Sequence, residues 1–126
     1  MTHDQVQDWL DRYIAAWRTS DPDAISGLFS DDAVYSYRPW DSEEHSVTGA
    51  AAISASWLEN PDDPSTWEAE YSAYAVDGVK AVALGHTRYF ASDDHPERLY
   101  HNAFVLRFDE DGRCSRFNEF YLLKKD

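Results

Sequence analysis

The 126-residue chain has a formal charge of −13, from 24 acidic and 11 basic residues, and 15% of its residues are aromatic. This length fits a single domain over residues 1–126, and the lone Cys114 excludes an intramolecular disulfide. This net negative charge repels phosphate backbones and anionic lipids, which argues against nucleic acid as a partner. With no apolar run of about 20 residues and no recognisable leader, we expect a cytoplasmic protein without a membrane span.

Three helices are indicated in the first half of the chain. The first carries an apolar stripe at helical spacing, made of Val6, Trp9, Leu10, Tyr13, Ile14 and Trp17. Thr2 and Gln5 resemble a capping box at its start. A second, short helix is predicted with Pro22 in its first turn and an end near residue 30, and a third between Gly49 and Pro61.

The remaining segments are typical of β-strands. The first is predicted over residues 33–40, and four more follow in succession, separated by turns at residues 77–78, 93–96 and 109–112. Such a meander predicts an α+β domain in which a curved antiparallel sheet wraps around the N-terminal helices. Helix and sheet together form a cone closed at one end, and a ligand would enter at the open end.

Several segments in this order resemble a known family. They are residues 12–17 (RYIAAW), 21–29 (DPDAISGLF), 31–33 (DDA), Thr48-Gly49 with Ala52-Ile53, and the hairpin over residues 108–116. Together they resemble the nuclear transport factor 2-like (NTF2-like) superfamily, in particular its SnoaL-like and ketosteroid-isomerase-like branch. The resemblance implies a cone-shaped, cystatin-like α+β barrel that is commonly dimeric.

The resemblance also bears on one well-understood reaction. Steroid isomerases of this superfamily use a tyrosine on the first helix, a protonated aspartic acid and an aspartate base. The resemblance puts Tyr13 at the tyrosine position, Tyr37 at the base position and Phe104 at the acid position. A phenol with a pKa near ~10 is a poor base, and phenylalanine donates no hydrogen bond. Classical ketosteroid isomerase activity is therefore disfavoured.

In the strand register that the resemblance implies, alternation points one set of side chains into the cone: Tyr35, Tyr37, Tyr100, Asn102, Phe104, Leu106, Phe117, Glu119 and Tyr121. Glu119 is the first candidate for an acid or base, because desolvation between aromatic rings favours its neutral form. The alternative is that Arg88 or another partner holds the Glu119 carboxylate ionised and that this carboxylate only orders the strands. Arg88 is itself a candidate for the pocket wall.

Two further polar residues are candidates for the chemistry. His86 shares a face with Arg88, and a neutral imidazole beside Glu119 would complete an acid–base pair, although a histidine facing outward is the more frequent case. Asn102 would orient a carbonyl or a water molecule, or else cap a neighbouring backbone group. No H-x-H, H-E-x-x-H or Gly-rich loop is present, so we expect neither a metal site nor a cofactor.

Tryptophans are candidates for the pocket wall. Trp17 and Trp57 would line the ligand chamber, although core packing alone explains their helical spacing. Trp40 precedes the acidic residues 41–44, which favours a mobile rim loop over the entrance.

The opposite face of the last two strands carries Ala103, Val105, Phe120 and Leu122, with no helix left to cover them, which predicts a homodimer through the convex sheet. The function favoured by the sequence is cofactor-free acid–base catalysis on a small, largely apolar molecule, of isomerase, cyclase or dehydratase type. Five residues are predicted for catalysis, with Glu119 and His86 as proton carriers and Tyr13, Tyr37 and Asn102 as polarising groups. Two alternatives remain open: noncatalytic binding of a small molecule, and a dimeric module for protein association.

Overall fold

Three α-helices and six strands form in the described part of the chain, residues 1–38, 40 and 45–125 of a computed structural model. The helices are α1 (His3–Thr19), α2 (Pro22–Ser26) and α3 (Ala50–Glu59), and a single 3-10 turn covers Pro64–Thr66. The strands are β1 (Phe29–Ser36), β2 (Val47–Thr48), β3 (Trp67–Asp77), β4 (Lys80–Tyr89), β5 (Arg98–Phe108) and β6 (Cys114–Leu123).

Local signals set the ends of α1 and the start of α2, as predicted. Thr2 and Gln5 form the full capping box, and α1 stops at Ser20, which adopts a left-handed conformation with φ 53°. The Asp21 side chain accepts a hydrogen bond from the backbone N–H of Asp23 at the start of α2. This helix ends earlier than predicted because β1 already begins at Phe29, which pairs with β6.

The sheet has the order β2-β1-β6-β5-β4-β3. Strands β3 to β6 form the predicted antiparallel meander, whereas β1 runs parallel to β6. This parallel pair was not predicted. It arises because β1 reaches the meander through α3 rather than through a hairpin, so no tight turn forces the antiparallel direction. The predicted α+β class with a curved sheet around the helices is confirmed, and the sheet stays open instead of closing as a barrel, with β2 and β3 at its edges.

Helix α1 lies on the concave face of the sheet and buries Val6, Trp9, Leu10, Tyr13 and Ala16. Opposite it, β4 contributes small side chains, Ala81 and Ala83, because aromatic rings from the neighbouring strands fill the space. The glycine at position 85 continues this row, since a Cβ there would lie 2.8 Å from the Cα of Tyr71. Among the described residues, no helix is long and apolar enough to cross a membrane.

Candidate functional site

A cavity of about 530 Å³ opens between the concave face of the sheet and helices α1 and α3. Its volume lies in the range of pockets for small organic molecules. The lining is aromatic and polar, and includes Tyr13, Trp17, Tyr35, Tyr37, Ser56, Trp57, Asp62, Tyr71, Thr87, Tyr89, Arg98, Tyr100, Asn102, Glu119 and Tyr121. Four of the five residues predicted for catalysis therefore line one cavity, and His86 does not.

Glu119 faces this cavity from β6. Its Oε1 accepts a hydrogen bond from Nδ2 of Asn102 at 3.2 Å, and its Oε2 forms no hydrogen bond within the described part of the chain. Burial raises the pKa of the Glu119 carboxyl group to about 7, against the opposing effect of the Asn102 hydrogen bond. The group can thus hold or release a proton near neutral pH.

The orientation of Asn102 is set by two residues that the sequence did not reveal. Thr87 donates its hydroxyl proton to Oδ1 of Asn102 at 3.0 Å. The same hydroxyl forms a hydrogen bond with the Tyr71 hydroxyl, and because Thr87 has one proton, Tyr71 must be the donor in that bond. Hydrogen bonds therefore run in one direction, from Tyr71 through Thr87 and Asn102 to Glu119. We call these four residues the polar chain.

A pair of tyrosines lies deeper in the cavity. The hydroxyls of Tyr13 and Tyr35 are 2.9 Å apart, and burial raises the pKa of each phenol well above its usual value. Both rings stay neutral, and the hydroxyl that accepts in this pair keeps its own proton for a ligand. Tyr37 stands nearer the surface, 37% exposed, where its hydroxyl meets the Ser56 hydroxyl at 3.2 Å.

The structure corrects the predicted positions of His86 and Arg88. Thr87 and Tyr89 line the cavity, so alternation puts His86 and Arg88 on the opposite face of β4. Arg88 pairs there with Glu68 and Glu97, at 3.6 and 3.5 Å, and not with Glu119. The inner row of β4 is built from alanine, glycine and threonine, and the larger Val82 and Leu84 share the outer face with His86.

Two of the three predicted pocket tryptophans line the cavity. Trp57 packs edge-on against Tyr13, with ring centroids 5.0 Å apart. Trp17 stacks on Trp67 at 3.6 Å and donates its indole N–H to Asp62. These contacts fix both indoles in the wall.

Trp40 requires a correction. It is 74% exposed and lies beside Phe120 and Leu122 on the convex face, away from the cavity entrance. The chain carries it there after β1 ends at Ser36, and the guanidinium of Arg38 lies 5.8 Å from its ring. The rest of the predicted rim loop, residues 39 and 41–44, lies outside the described residues.

Phe104 and Phe117 point inward as predicted, but they belong to the core beneath the cavity and are each 1% exposed. Phe104 is the direct partner of Glu119 in the β5–β6 register. The position expected for the acid of a steroid isomerase thus holds a phenyl ring, and a carboxyl group comes from the adjacent strand instead.

The mouth of the cavity is bordered by Tyr89, Tyr100 and Tyr121, whose rings meet at right angles with centroids 5.9 and 5.8 Å apart. Arg98 lines the cavity beside them, and its guanidinium lies 5.4 Å from the centre of the Tyr89 ring. Tyr89 was missed because the wrong face of β4 was expected to point into the cavity. Arg98 was missed because it is the first residue of its strand.

Groups of three or more histidine, cysteine, aspartate or glutamate side chains that could hold a metal ion are absent from the described residues.

Burial raises the pKa of the Cys114 thiol to about 12, so this cysteine stays protonated at neutral pH.

A helix packed in a curved open sheet, with a cavity at the open end, defines an NTF2-like protein. A solved NTF-2 like protein of unknown function from Burkholderia xenovorans LB400 has a TM-score of 0.70 and 15% identity, over 98% of this chain and 87% of that one. An LEH-like epoxide hydrolase of M. tuberculosis has a TM-score of 0.69 and 12% identity, over 95% and 84%. An NTF2-like protein of unknown function from Cytophaga hutchinsonii ATCC 33406 has a TM-score of 0.63 and 14% identity, over 92% and 98%.

These identities establish a shared fold and nothing about activity. The family model described as a SnoaL-like domain matches residues 10–117, and the chain belongs to this family. No curated protein matches the sequence.

Proposed function

We propose that the cavity binds a small, largely apolar organic molecule and that Glu119 transfers a proton on it without a cofactor. The observation that carries this proposal is the Glu119 carboxyl group itself. It has a pKa of about 7, faces the cavity, is held at Oε1 by Asn102, and has no hydrogen bond to Oε2 from any residue that the structure describes. A general base or acid works best when its pKa lies near the working pH.

The neighbouring groups supply the rest of an acid–base site. Above pH 7 the ionised Oε2 accepts a proton from a carbon acid or from water. The Tyr13–Tyr35 pair donates a hydrogen bond to the oxygen on which negative charge develops. This combination supports isomerisation, dehydration or cyclisation. His86 takes no part, because it lies on the other face of β4.

Hydration of an epoxide belongs to the same class of chemistry. One structural neighbour is described as an epoxide hydrolase, and such a reaction needs a base that deprotonates water and an acid that protonates the ring oxygen. Glu119 and the tyrosine pair fit these two roles. At 12% identity the neighbour adds no weight of its own, so the proposal depends on the residues of this chain.

A test of the base does not require the natural substrate. The flat aromatic compound 5-nitrobenzisoxazole loses its C3 proton to a base, its N–O bond breaks, and a coloured cyanonitrophenolate forms. We expect the wild-type rate to rise with pH through about 7, following ionisation of Glu119. Glu119→Gln should lower kcat/KM at pH 8 by roughly 100-fold or more while the compound still binds.

The matched control is Glu59→Gln, which removes an exposed carboxylate at the end of α3 and should leave the rate unchanged. Equal rates for wild type and Glu119→Gln, with binding intact, would refute proton transfer and favour the noncatalytic binding module. If neither the wild type nor Glu119→Gln binds 5-nitrobenzisoxazole, the cavity as a ligand site is refuted as well.

We also propose that the chain is a homodimer through the convex face of the sheet. Support comes from exposed apolar side chains there, with Val105 41%, Phe120 42% and Leu122 76% exposed. Sedimentation equilibrium at micromolar concentration should give twice the mass of one chain. A single monomeric species at that concentration would contradict the dimer.

A further inference from the structure

Arg98 occupies an unusual position for an arginine in so acidic a chain. It lies on the same side of β5 as Tyr100 and Asn102, and it lines the mouth of the cavity. Its Nε is buried, and within the described part of the chain this atom has no hydrogen-bond partner and no carboxylate lies within ion-pair distance of the guanidinium. The guanidinium lies over the Tyr89 ring.

The neighbouring arginine shows that carboxylates are available at this end of the sheet. Glu97 precedes Arg98 in the chain, yet its side chain reaches across the opposite face to Arg88, which also pairs with Glu68. Two carboxylates thus pair with Arg88, whereas none among residues 1–38, 40 and 45–125 pairs with Arg98. A buried N–H without a partner is destabilising, and a group that accepts from it restores the lost hydrogen bond.

We propose that Arg98 binds a carboxylate on the ligand, so that the molecule taken up by the cavity is an organic acid with an apolar body. This inference rests on the proposed function and names its substrate class. A carboxylate matches the planar fork of a guanidinium, which donates two parallel hydrogen bonds. The overall charge of −13 repels anions from the rest of the surface, so Arg98 provides a local attraction that the chain as a whole lacks.

The position of Arg98 also sets how such a ligand lies. Asn102 follows Arg98 by four positions of extended strand, which is about 13 Å between their Cα atoms. With its carboxylate at Arg98, an apolar body of that length lies along the rings of Tyr89 and Tyr100, which line the cavity, and brings its far end to Glu119. The charged end then stays at the mouth, and the reacting end lies in the buried part.

The test compares two probes that differ only in charge, 4-phenylbutyrate and 4-phenylbutyramide, by isothermal titration calorimetry. At pH 6 the acid is ionised and Glu119 is largely protonated, so Glu119 does not repel it. We expect wild type to bind the acid roughly tenfold or more tightly than the amide. Arg98→Gln should abolish this preference without weakening the amide, and Arg98→Lys should retain part of it.

Arg107→Gln is the matched control, since Arg107 lies on the same strand, is exposed and points away from the cavity. It should keep the full preference for the acid. If wild type binds the two probes equally, or if Arg98→Gln keeps the preference, the role of Arg98 is refuted while the ligand cavity stands. If neither probe binds wild type, both the cavity as a ligand site and the role of Arg98 are refuted.

Discussion

The Asn102 amide donates to the Glu119 carboxyl group diagonally across β5 and β6, with Nδ2 and Oε1 3.2 Å apart. The residue directly opposite Glu119 is Phe104, which offers no hydrogen bond. Glu119 is therefore desolvated by its surroundings, and a single neutral donor among the described residues, Asn102, holds it. Because one such bond only partly offsets burial, the pKa of the carboxyl group remains at about 7.

Replacing Glu119 by Gln should stabilise the protein at high pH. The pKa of the Glu119 carboxyl group is about 7 in the folded state against 4.5 for an unperturbed glutamate, so the folded state keeps a proton that the unfolded chain loses between these values. Stability of the wild type thus falls as pH rises from about 4.5 to 7 and then levels off. Glu119→Gln should gain up to ~3 kcal/mol at pH 8, and the gain should shrink towards pH 5. Urea unfolding at several pH values measures this, and a gain independent of pH would contradict it.

Replacing Thr87 by Val should raise the pKa of Glu119 further. Without the Thr87 hydroxyl, nothing holds Oδ1 of Asn102, and the amide can turn this oxygen towards Glu119, where it favours the protonated carboxyl group. Thr87→Ser keeps the donor and should leave the titration near 7. The measurement is the pH dependence of the 13C carboxyl signal of Glu119. An unchanged midpoint in Thr87→Val would mean that the polar chain does not orient Asn102.

Replacing Gly85 by Ala should destabilise the fold. A Cβ at this position would lie 2.5 Å from Cδ1 and 2.8 Å from Cα of Tyr71, and it would also collide with the carbonyl oxygen of Glu70. The adjacent strand β3 would have to move, at a cost of roughly 2 kcal/mol or more in the free energy of unfolding. The displaced Tyr71 would lose its bond to Thr87. Thermal unfolding at the wild-type temperature would contradict this expectation.

Replacing Phe120 by Asp should separate the proposed dimer without unfolding the chain. Phe120 is 42% exposed in the monomer, so a charge is tolerated there, whereas burial between two copies would leave that charge desolvated. Tyr74→Asp is the control, because Tyr74 is 70% exposed on the edge strand β3, three strands away from β6. Sedimentation equilibrium should give monomer for the first variant only. Identical masses for both variants would contradict this interface.

Much of the fold and half of the site follow from local patterns. The capping box at Thr2 and Gln5 marks the start of α1, and the turns mark the meander. Alternation along β5 and β6, in the register that the family resemblance implies, puts Asn102 and Glu119 on the concave side, and both line the cavity. On β4 the same rule failed. There the interior side is the one with small residues, since Tyr71 and Phe104 already fill the space, and so His86 and Arg88 were assigned to the wrong face.

The sequence by itself determined the helices, the number of strands in the meander and the presence of a carboxyl group among aromatic rings. Those features depend on periodicity, capping and turn residues, which act over a few positions. Only the tertiary structure decided that β1 runs parallel to β6, that Thr87 completes the polar chain, and that Arg98 faces the cavity without a carboxylate partner among the described residues. These depend on which side chains fill a shared volume, a property of packing between distant segments that no single strand encodes.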